Sequence, residues 1–256
     1  MHPGEHPNIS TAHDSTQQLA LLEAELNALN YAVSHDLQAP VRAIAGFSRA
    51  LHEYHAELNP EAQHFLAHIQ QATQRLQAMI AALLELSRLS QTSLQCSNID
   101  LSTLAQELHR ELQARYPNHH PQFRIETSCQ ISADRRLLRT ALLALLDNAW
   151  KFTQDTPQAQ VTLRAKTTAT TQELCVADNG SGFNIQHATR LGTPFQHFHP
   201  HNHLSGIGMG LATAQRVASK HGGQLRADSS LQQGSQFYLQ LPITTCNPTH
   251  IPMPGQ

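Results

Sequence analysis

Hydrophobic residues in the first third of the chain recur three and four positions apart, in two runs separated by a short polar break. This spacing predicts two long amphipathic helices, the first continuing through Pro40 and the second starting after Asn59. Asn59 is a favoured N-cap residue, Pro60 suits the first helical position, and Glu61 places an acid in the first turn. The hydrophobic positions are Leu19, Leu22, Leu26, Leu29, Val33, Ile44, Phe47, Leu51, Tyr54 and Leu58, then Ile69, Ala72, Leu76, Met79, Leu83 and Leu86.

These two helices are expected to fold back on each other as an antiparallel hairpin, because the break between them is short. Two helices alone bury too little apolar surface to form a stable domain. We therefore predict a homodimer in which two hairpins make a four-helix bundle. The alternative, in which the hairpin packs against the second domain of the same chain, stays open.

Beyond residue 100 the pattern changes to short helices mixed with short strands. This mixture predicts a sheet with helices on one face, so the fold class is α+β: a helical hairpin followed by an α/β sandwich. The predicted helices are 101–115, 134–151 and 208–220, and the predicted strands are 123–127, 160–166, 173–178, 225–228 and 235–241.

The same patterns divide the chain into segments. Residues 1–15 are expected to be a flexible tail, or the trailing end of an upstream segment, and residues 244–256 a second flexible tail. The helical domain is placed at 16–92 and the mixed domain at 98–243. The polar stretch 93–100 is expected to act as a hinge.

Composition narrows the possible functions. The chain has 256 residues with 17 basic and 19 acidic side chains, so its net charge of −2 does not favour nucleic-acid binding. No run of 18 apolar residues exists, so we expect no membrane insertion. The 4 cysteines are widely spaced without a CxxC pair, which predicts neither a disulfide framework nor a zinc knuckle and favours a cytoplasmic location.

His35 and Asp36 form the first candidate site. The hydrophobic spacing places His35 within a helix, and Asp36 puts a carboxylate beside its imidazole ring. An exposed imidazole with a neighbouring acid is a candidate nucleophile toward a phosphoryl group. A solvated surface pair is the alternative.

The mixed domain contains two further candidate stretches. Asn148 and Lys151 share one face of a predicted helix, where a carboxamide oxygen could hold a phosphate-bound magnesium ion and a lysine could neutralise phosphate charge. Asp178 ends a predicted strand and could accept a hydrogen bond from the amine of adenine, while Gly180 and Gly182 let the backbone approach a flat base. A polar helix face and a plain turn are the alternatives.

A glycine-rich segment and a loop complete the set. Gly206, Gly208 and Gly210 precede Leu211 at the start of a predicted helix, where backbone amides attract phosphates. The spacing is neither that of a dinucleotide fingerprint nor that of a Walker loop. The loop 193–199 carries Phe195 and could close over a nucleotide as a lid. A flexible helix start and a pinned surface loop are the alternatives.

Taken together, these stretches resemble the transmitter module of a sensor histidine kinase, with similarity to phytochrome-type members. Residues 34–42 resemble the phospho-acceptor box, 148–153 the asparagine box, 178–182 and 206–210 the two glycine boxes, and 194–196 the lid phenylalanine box.

The resemblance implies a dimerisation and phosphotransfer domain followed by an Hsp90-like ATP-binding domain that uses ATP and Mg²⁺. It implies autophosphorylation of His35, with Asp36 polarising the imidazole, and Asn148 as the magnesium ligand. It further implies relay of the phosphoryl group to an aspartate of a response regulator receiver domain, with a sensor domain upstream in such proteins.

Three departures from the family pattern bear on activity. Ala144 stands where a second asparagine is usual, so Asn148 must hold the metal largely alone, and His197 stands where many lids have an arginine. Ala39 replaces a polar residue linked to phosphatase activity, which predicts weak phosphatase activity. A catalytically weak or inactive ATP-binding scaffold is therefore the alternative; an ATP-driven clamp is disfavoured because Ala144 cannot act as a base.

The lid also contains alternating histidines, whose spacing could bind zinc or nickel. A solvated loop with biased composition is favoured instead, because a flexible loop gives these ligands no fixed geometry. The residues are His197, His199, His201 and His203.

Overall fold

The computed structural model describes residues 9–54, 59–126, 130–186, 191–196 and 206–243. The chain divides into two compact units, with the division between Ser90 and Gln91. The alternating histidines of the lid and the predicted C-terminal tail lie outside the described residues.

The first unit is a hairpin of two long helices, α1 (Ile9–Tyr54) and α2 (Pro60–Gln91). Helix α1 is continuous through Pro40. It begins at Ile9, so the prediction of a flexible tail is wrong for residues 9–15. The side chains of Leu19, Leu22, Leu26 and Leu29 lie outside the described part of the chain, as does Leu58.

The start of α2 follows the predicted capping pattern. The backbone N–H of Ala62 donates to Asn59 Oδ1 at 2.7 Å, and the N–H of Gln63 donates to the Asn59 carbonyl at 3.1 Å. These bonds satisfy donors that the first helical turn would otherwise leave free. The predicted N-cap is therefore confirmed.

The buried seam of the hairpin repeats every seven residues and is partly polar. Val41 packs with Ile80 and Leu84 in its apolar cluster. The buried positions at seven-residue spacing are Ser34, Val41 and Ser48 on α1, and Leu66, Thr73, Ile80 and Ser87 on α2.

A second stripe of the hairpin is apolar but exposed. Phe47 is 73% exposed, and its neighbours along α1 follow the three-and-four spacing of a helix–helix contact. An apolar stripe of this size is typical of an interaction surface, which supports the predicted homodimer. The stripe consists of Val33, Leu37, Ile44, Phe47 and Leu51 on α1, and Phe65, Ile69 and Leu76 on α2.

We expect Phe47→Glu to weaken self-association of the chain by at least about 100-fold, because each protomer would bury a charge in place of a large apolar side chain. Sedimentation velocity over a concentration series measures this effect. Arg49→Glu is the matched control, because Arg49 is exposed on α1, lies on a different face of the helix from Phe47 and receives the same acidic side chain. If the two variants dimerise equally well, the exposed apolar stripe is not the dimer interface.

The described residues of the second unit form two sheets and three α-helices. A small sheet pairs β1 (Cys96–Asp100) antiparallel with β3 (Gln130–Asp134). A five-stranded sheet has the order β2-β4-β5-β7-β6. The other elements are α3 (Leu101–Arg115), β2 (Gln122–Glu126), α4 (Arg135–Phe152), β4 (Gln160–Thr167), β5 (Thr171–Asp178), α5 (Gly210–Lys220), β6 (Gln224–Ser229) and β7 (Ser235–Pro242).

The five-stranded sheet is packed on one face. Strands β2 and β4 are parallel, with β3 and α4 in the connection between them, and the remaining neighbours are antiparallel. Buried residues alternate along the strands, as expected for a sheet covered on one side. The side chains of this buried face include Val161, Leu163, Leu174, Val176, Phe237 and Leu239. The predicted α+β fold is confirmed.

Three details of the second unit differ from the predictions. Residues 96–100 form β1, so the expected hinge at 93–100 is too long. The sequence reading also missed β3, and it started α5 at Gly208 instead of Gly210. Strands β1 and β3 have five residues each and form a two-stranded sheet, so the alternation of apolar and polar residues along them is too short to predict a strand.

Two aspartates begin the helices α3 and α4. Asp100 accepts hydrogen bonds from the backbone of Ser102 and Thr103, and Asp134 accepts them from Arg136 and Leu137. These N-caps end β1 and β3 and fix where each helix starts.

Buried His221 fastens the end of α5 to the start of α4. Its Nε2 accepts the backbone N–H of Asp134 at 3.1 Å, while its Nδ1 bonds the Val217 carbonyl at 2.8 Å. This pairing needs the neutral ring with the proton on Nδ1. Burial lowers the pKa of His221, which favours that neutral form.

The cysteines give one correction. Cys96 is disulfide-bonded, whereas the sequence predicted no disulfide. Cys175 is buried and free. Among the described helices, none combines the length and hydrophobicity needed to cross a bilayer.

Candidate functional site

His35 points outward from the middle of α1. Its side chain is 70% exposed, and its Nδ1 lies 3.3 Å from Asp36 Oδ1. Ser34 and Val41, on the buried seam, fix the orientation of this part of the helix. When Nδ1 carries the proton and donates it to Asp36, Nε2 retains a lone pair that can attack an electrophile.

In the second unit, one face of α4 lies along the glycine-rich segment 206–210. A Cβ placed on Gly210 would lie 3.6 Å from Ala144 Cβ and 3.7 Å from Asn148 Nδ2. A Cβ placed on Gly206 would lie 3.4 Å from Lys151 Nζ. The structure thus brings together Asn148, Lys151 and the glycines that the sequence singled out separately.

Asn148 fits a magnesium ion that already carries phosphates. Its side chain is half-buried, and within the described part of the chain no hydrogen bond occupies its carboxamide. A neutral oxygen donor suits a cation whose other ligands are phosphate oxygens and water. Ala144, one turn earlier, offers only a methyl group.

Lys151 is held by Asp147, a residue that the sequence analysis missed. Lys151 Nζ lies 2.5 Å from Asp147 Oδ2, while Tyr116 and Arg115 donate to Asp147 Oδ1 at 2.8 Å and 3.0 Å. The i,i+4 spacing of Asp147 and Lys151 was a usable signal. Arg115 extends the network to Glu111, which also binds Arg139.

This network keeps the Asp147 carboxylate ionised. Burial alone would raise the pKa of Asp147, but the hydrogen bond and charge of Lys151, with hydrogen bonds from Tyr116 and Arg115, hold it below its usual value. Burial, together with Asp147, raises the pKa of Tyr116, which therefore remains a donor. Lys151 thus lies between a fixed anion and the glycine-rich segment.

The loop 178–182, called the Asp178 loop below, packs against the last turn of α4. The N–H of Ser181 donates to the Phe152 carbonyl at 3.1 Å, and the N–H of Gly180 donates to Asp178 Oδ1 at 2.9 Å. A Cβ on Gly180 would overlap that Phe152 carbonyl, and Gly182 has φ +58°. Both positions therefore require glycine.

Asp178 has an unusual protonation equilibrium. Its burial raises its pKa to about 6, although hydrogen bonds from the backbone of Gly180 and Ser235 act in the opposite direction. The carboxylate is mostly ionised at pH 7 and largely protonated at pH 5. Perturbed carboxyl groups of this kind are enriched at functional sites.

The lid residue Phe195 is hydrogen-bonded to the glycine-rich segment 206–210. The N–H of Phe195 donates to the Gly208 carbonyl at 3.0 Å, and both residues have positive φ angles, +62° and +77°. A Cβ on Gly208 would lie 2.9 Å from the Gln196 carbonyl oxygen. Leu211 follows, half-buried, in the first turn of α5.

The last turn of α4 is therefore the common support of the site, because Phe152 contacts the Asp178 loop and Lys151 faces Gly206. His35 and Asp36 belong to the first unit. Among the described residues, no group of three or more His, Cys, Asp or Glu forms a metal cluster.

Two family models match the chain. Residues 25–92 match the His Kinase A (phospho-acceptor) domain, and residues 133–245 match the histidine kinase-, DNA gyrase B- and HSP90-like ATPase. The chain therefore joins a phospho-acceptor domain to an ATPase domain. This pair is the transmitter module of a sensor histidine kinase, and the chain belongs to that family, as its motifs predicted.

Known proteins are similar to this chain in sequence or in fold. Phytochrome-like protein Cph1 of Synechocystis sp. is 26% identical over 86% of this chain, which spans only 29% of that relative. Full-length ShkA in complex with AMPPNP is 23% identical, with a TM-score of 0.61 over 84% of this chain and 45% of its own. Histidine kinase ThkA, in complex with response regulator TrrA, is 17% identical and has a TM-score of 0.61. The match covers 94% of this chain and 69% of the ThkA chain. The two structures share the fold.

Proposed function

We propose that this chain is an ATP-dependent protein histidine kinase that phosphorylates His35 and passes the phosphoryl group to an aspartate of a response regulator receiver domain. The observation that carries the proposal is the exposed His35 imidazole, with its Nδ1 3.3 Å from Asp36, on a phospho-acceptor domain joined to an ATPase domain. The same proposal assigns Asn148 and Lys151 to the nucleotide site.

The chemistry is phosphoryl transfer by positioning and charge neutralisation. Nε2 of His35 attacks the γ-phosphorus of ATP, so that a P–N bond forms and the bond to the ADP oxygen breaks. Asp36 stabilises the positive charge that develops on the ring through its contact with Nδ1. The phosphoryl group then moves from Nε2 to a receiver carboxylate, which restores the neutral imidazole.

Each nucleotide-site residue has a separate role in this proposal. Asp178 accepts a hydrogen bond from the adenine amine, and backbone amides near Gly208 and Gly210 face the phosphates at the start of α5. Asn148 holds Mg²⁺, which neutralises charge on the phosphates when bound. Lys151 exchanges part of its contact with Asp147 for a phosphate oxygen.

The proposed partners are a second copy of the chain and a receiver domain. The exposed apolar stripe of the hairpin supports the homodimer. The structurally similar ThkA in its complex with TrrA supports a response regulator as acceptor. Weak phosphatase activity, inferred from Ala39, stays a prediction.

Incubation of the chain with γ-labelled ATP and Mg²⁺ tests the proposal. We expect an acid-labile, base-stable label on the protein that a receiver domain removes. Absence of label, with ATP binding retained, would favour the second candidate, a catalytically inactive ATP-binding scaffold. Ala144, which faces Gly210 where a second carboxamide is usual, is the observation that favours this alternative.

Asp178 provides a test of base recognition. We expect Asp178→Asn to weaken ATP binding by about 10- to 100-fold, because a hydrogen bond to a charged acceptor is lost. Wild-type affinity should fall as the pH drops from 7 to 5, through the raised pKa near 6, whereas the variant should show a flat profile. Calorimetric titration at several pH values measures both.

Inosine triphosphate is the matched control for Asp178, because it lacks the exocyclic amine. Wild-type protein should prefer ATP, and the variant should lose most of that preference. The variant should unfold at no lower temperature, because it removes a buried carboxylate whose ionisation is unfavourable in the folded state. An unchanged ATP preference would exclude Asp178 from base recognition.

A further inference from the structure

Helix α2 carries a histidine pair that the proposed function does not use. His64 and His68 are four residues apart, and their Nε2 atoms lie 3.1 Å from each other. The ring centroids are 4.4 Å apart with an interplanar angle of 87°. Both side chains are exposed, so solutes can reach the two nitrogens from bulk solvent.

We propose that His64 and His68 form a binding site for a divalent transition-metal ion of the Zn²⁺, Ni²⁺ or Cu²⁺ class. Imidazole nitrogens are preferred ligands of these ions. With metal–nitrogen bonds of about 2.0–2.1 Å, a nitrogen separation of 3.1 Å gives an N–metal–N angle of roughly 95–102°. This angle lies between the octahedral and tetrahedral values, so the present separation of the two nitrogens suits a chelate once the rings turn their Nε2 lone pairs toward one ion.

Metal binding replaces the present contact between the rings. With both rings neutral, the 3.1 Å contact is a hydrogen bond from one Nε2–H to the other Nε2, so one ring carries its proton on Nε2 and the other on Nδ1. To bind the ion, the first ring moves its proton to Nδ1 through solvent, and both Nε2 lone pairs then coordinate the metal. No net proton is released when both rings are neutral.

The site is a two-ligand chelate. Within the described residues, no third His, Cys, Asp or Glu completes the set, so water fills the remaining coordination positions. The helix itself supplies the preorganisation, because residues four apart share one face. The chelate spans the second and third turns of α2, beyond the Asn59 cap.

Calorimetric titration of the full chain with Ni²⁺ and Zn²⁺ tests the proposal. A background in which His197, His199, His201 and His203 are replaced by asparagine removes competing lid ligands. In this background, we expect His64→Asn and His68→Asn each to lose one bound equivalent per chain. His52→Asn is the matched control, because His52 is an exposed histidine on α1. This variant should retain the bound equivalent.

A second readout locates the ion directly. Substoichiometric Cu²⁺ should broaden the imidazole NMR signals of His64 and His68 before those of His52. Circular dichroism should show unchanged helix content in all variants, since both positions are exposed. The proposal is overturned if both variants keep the full stoichiometry, or if His52 broadens first.

Discussion

Replacing His35 with glutamine is expected to reduce labelling from γ-labelled ATP to background while leaving ATP affinity unchanged. Glutamine keeps similar size and polarity but offers no ring nitrogen that can form a phosphoramidate. The proposed nucleotide site consists of residues of the second unit, around α4 and α5, so it should be unaffected. Filter-bound label and calorimetric ATP titration measure the two quantities.

His52→Gln is the matched control for this experiment, because His52 is also an exposed histidine on α1. It should label like the wild type. Remaining acid-labile label in His35→Gln would mean that a different histidine accepts the phosphoryl group. Loss of both labelling and ATP binding in His35→Gln would instead indicate a folding defect.

Features set by local sequence were predicted well. The start of α2 depends on Asn59 and the two residues after it, and the start of α4 depends on Asp134. The turn between β6 and β7 is also set locally, because Gly234 has a φ of +85°, which favours glycine. In each case the deciding interactions lie within a few residues along the chain.

Features set by distant partners were not predicted. Strand β1 is held by pairing with β3, more than thirty residues later, and its short pattern resembles a polar linker. The role of Asp147 depends on Arg115 and Tyr116, which reach it from the end of α3. Spacing along one helix could suggest the contact of Asp147 with Lys151, but not the donors from another element.

The residues proposed for the nucleotide site were predicted as separate motifs, and the fold explains why they meet. The last turn of α4 supports both glycine segments, one through the Phe152 carbonyl and the other beside Lys151. Sequence motifs cannot give this common support, because the connecting strands and turns determine it. The disulfide at Cys96 was missed for a similar reason, since cysteine spacing alone does not report spatial proximity.

Replacing Asn148 with alanine is expected to lower the rate of His35 labelling by about 10²–10³-fold, comparable to removing one electrostatic contact to a transition state. The effect should be large because Ala144 cannot supply a second carboxamide. ATP affinity should fall less than the labelling rate, since Asp178 and the glycine segments still bind the nucleotide. Single-turnover labelling over a Mg²⁺ series measures the rate, and high Mg²⁺ should restore part of it.

Thr140→Ala is the matched control for Asn148, because Thr140 lies on the same helix and its hydroxyl donates to the Arg136 carbonyl of that helix at 3.0 Å. Its labelling rate and Mg²⁺ dependence should match those of the wild type. If Asn148→Ala labels at the wild-type rate at every Mg²⁺ concentration, then Asn148 does not hold the metal. The assignment of Mg²⁺ to this face of α4 would then be wrong, even if His35 remains the phosphorylated residue.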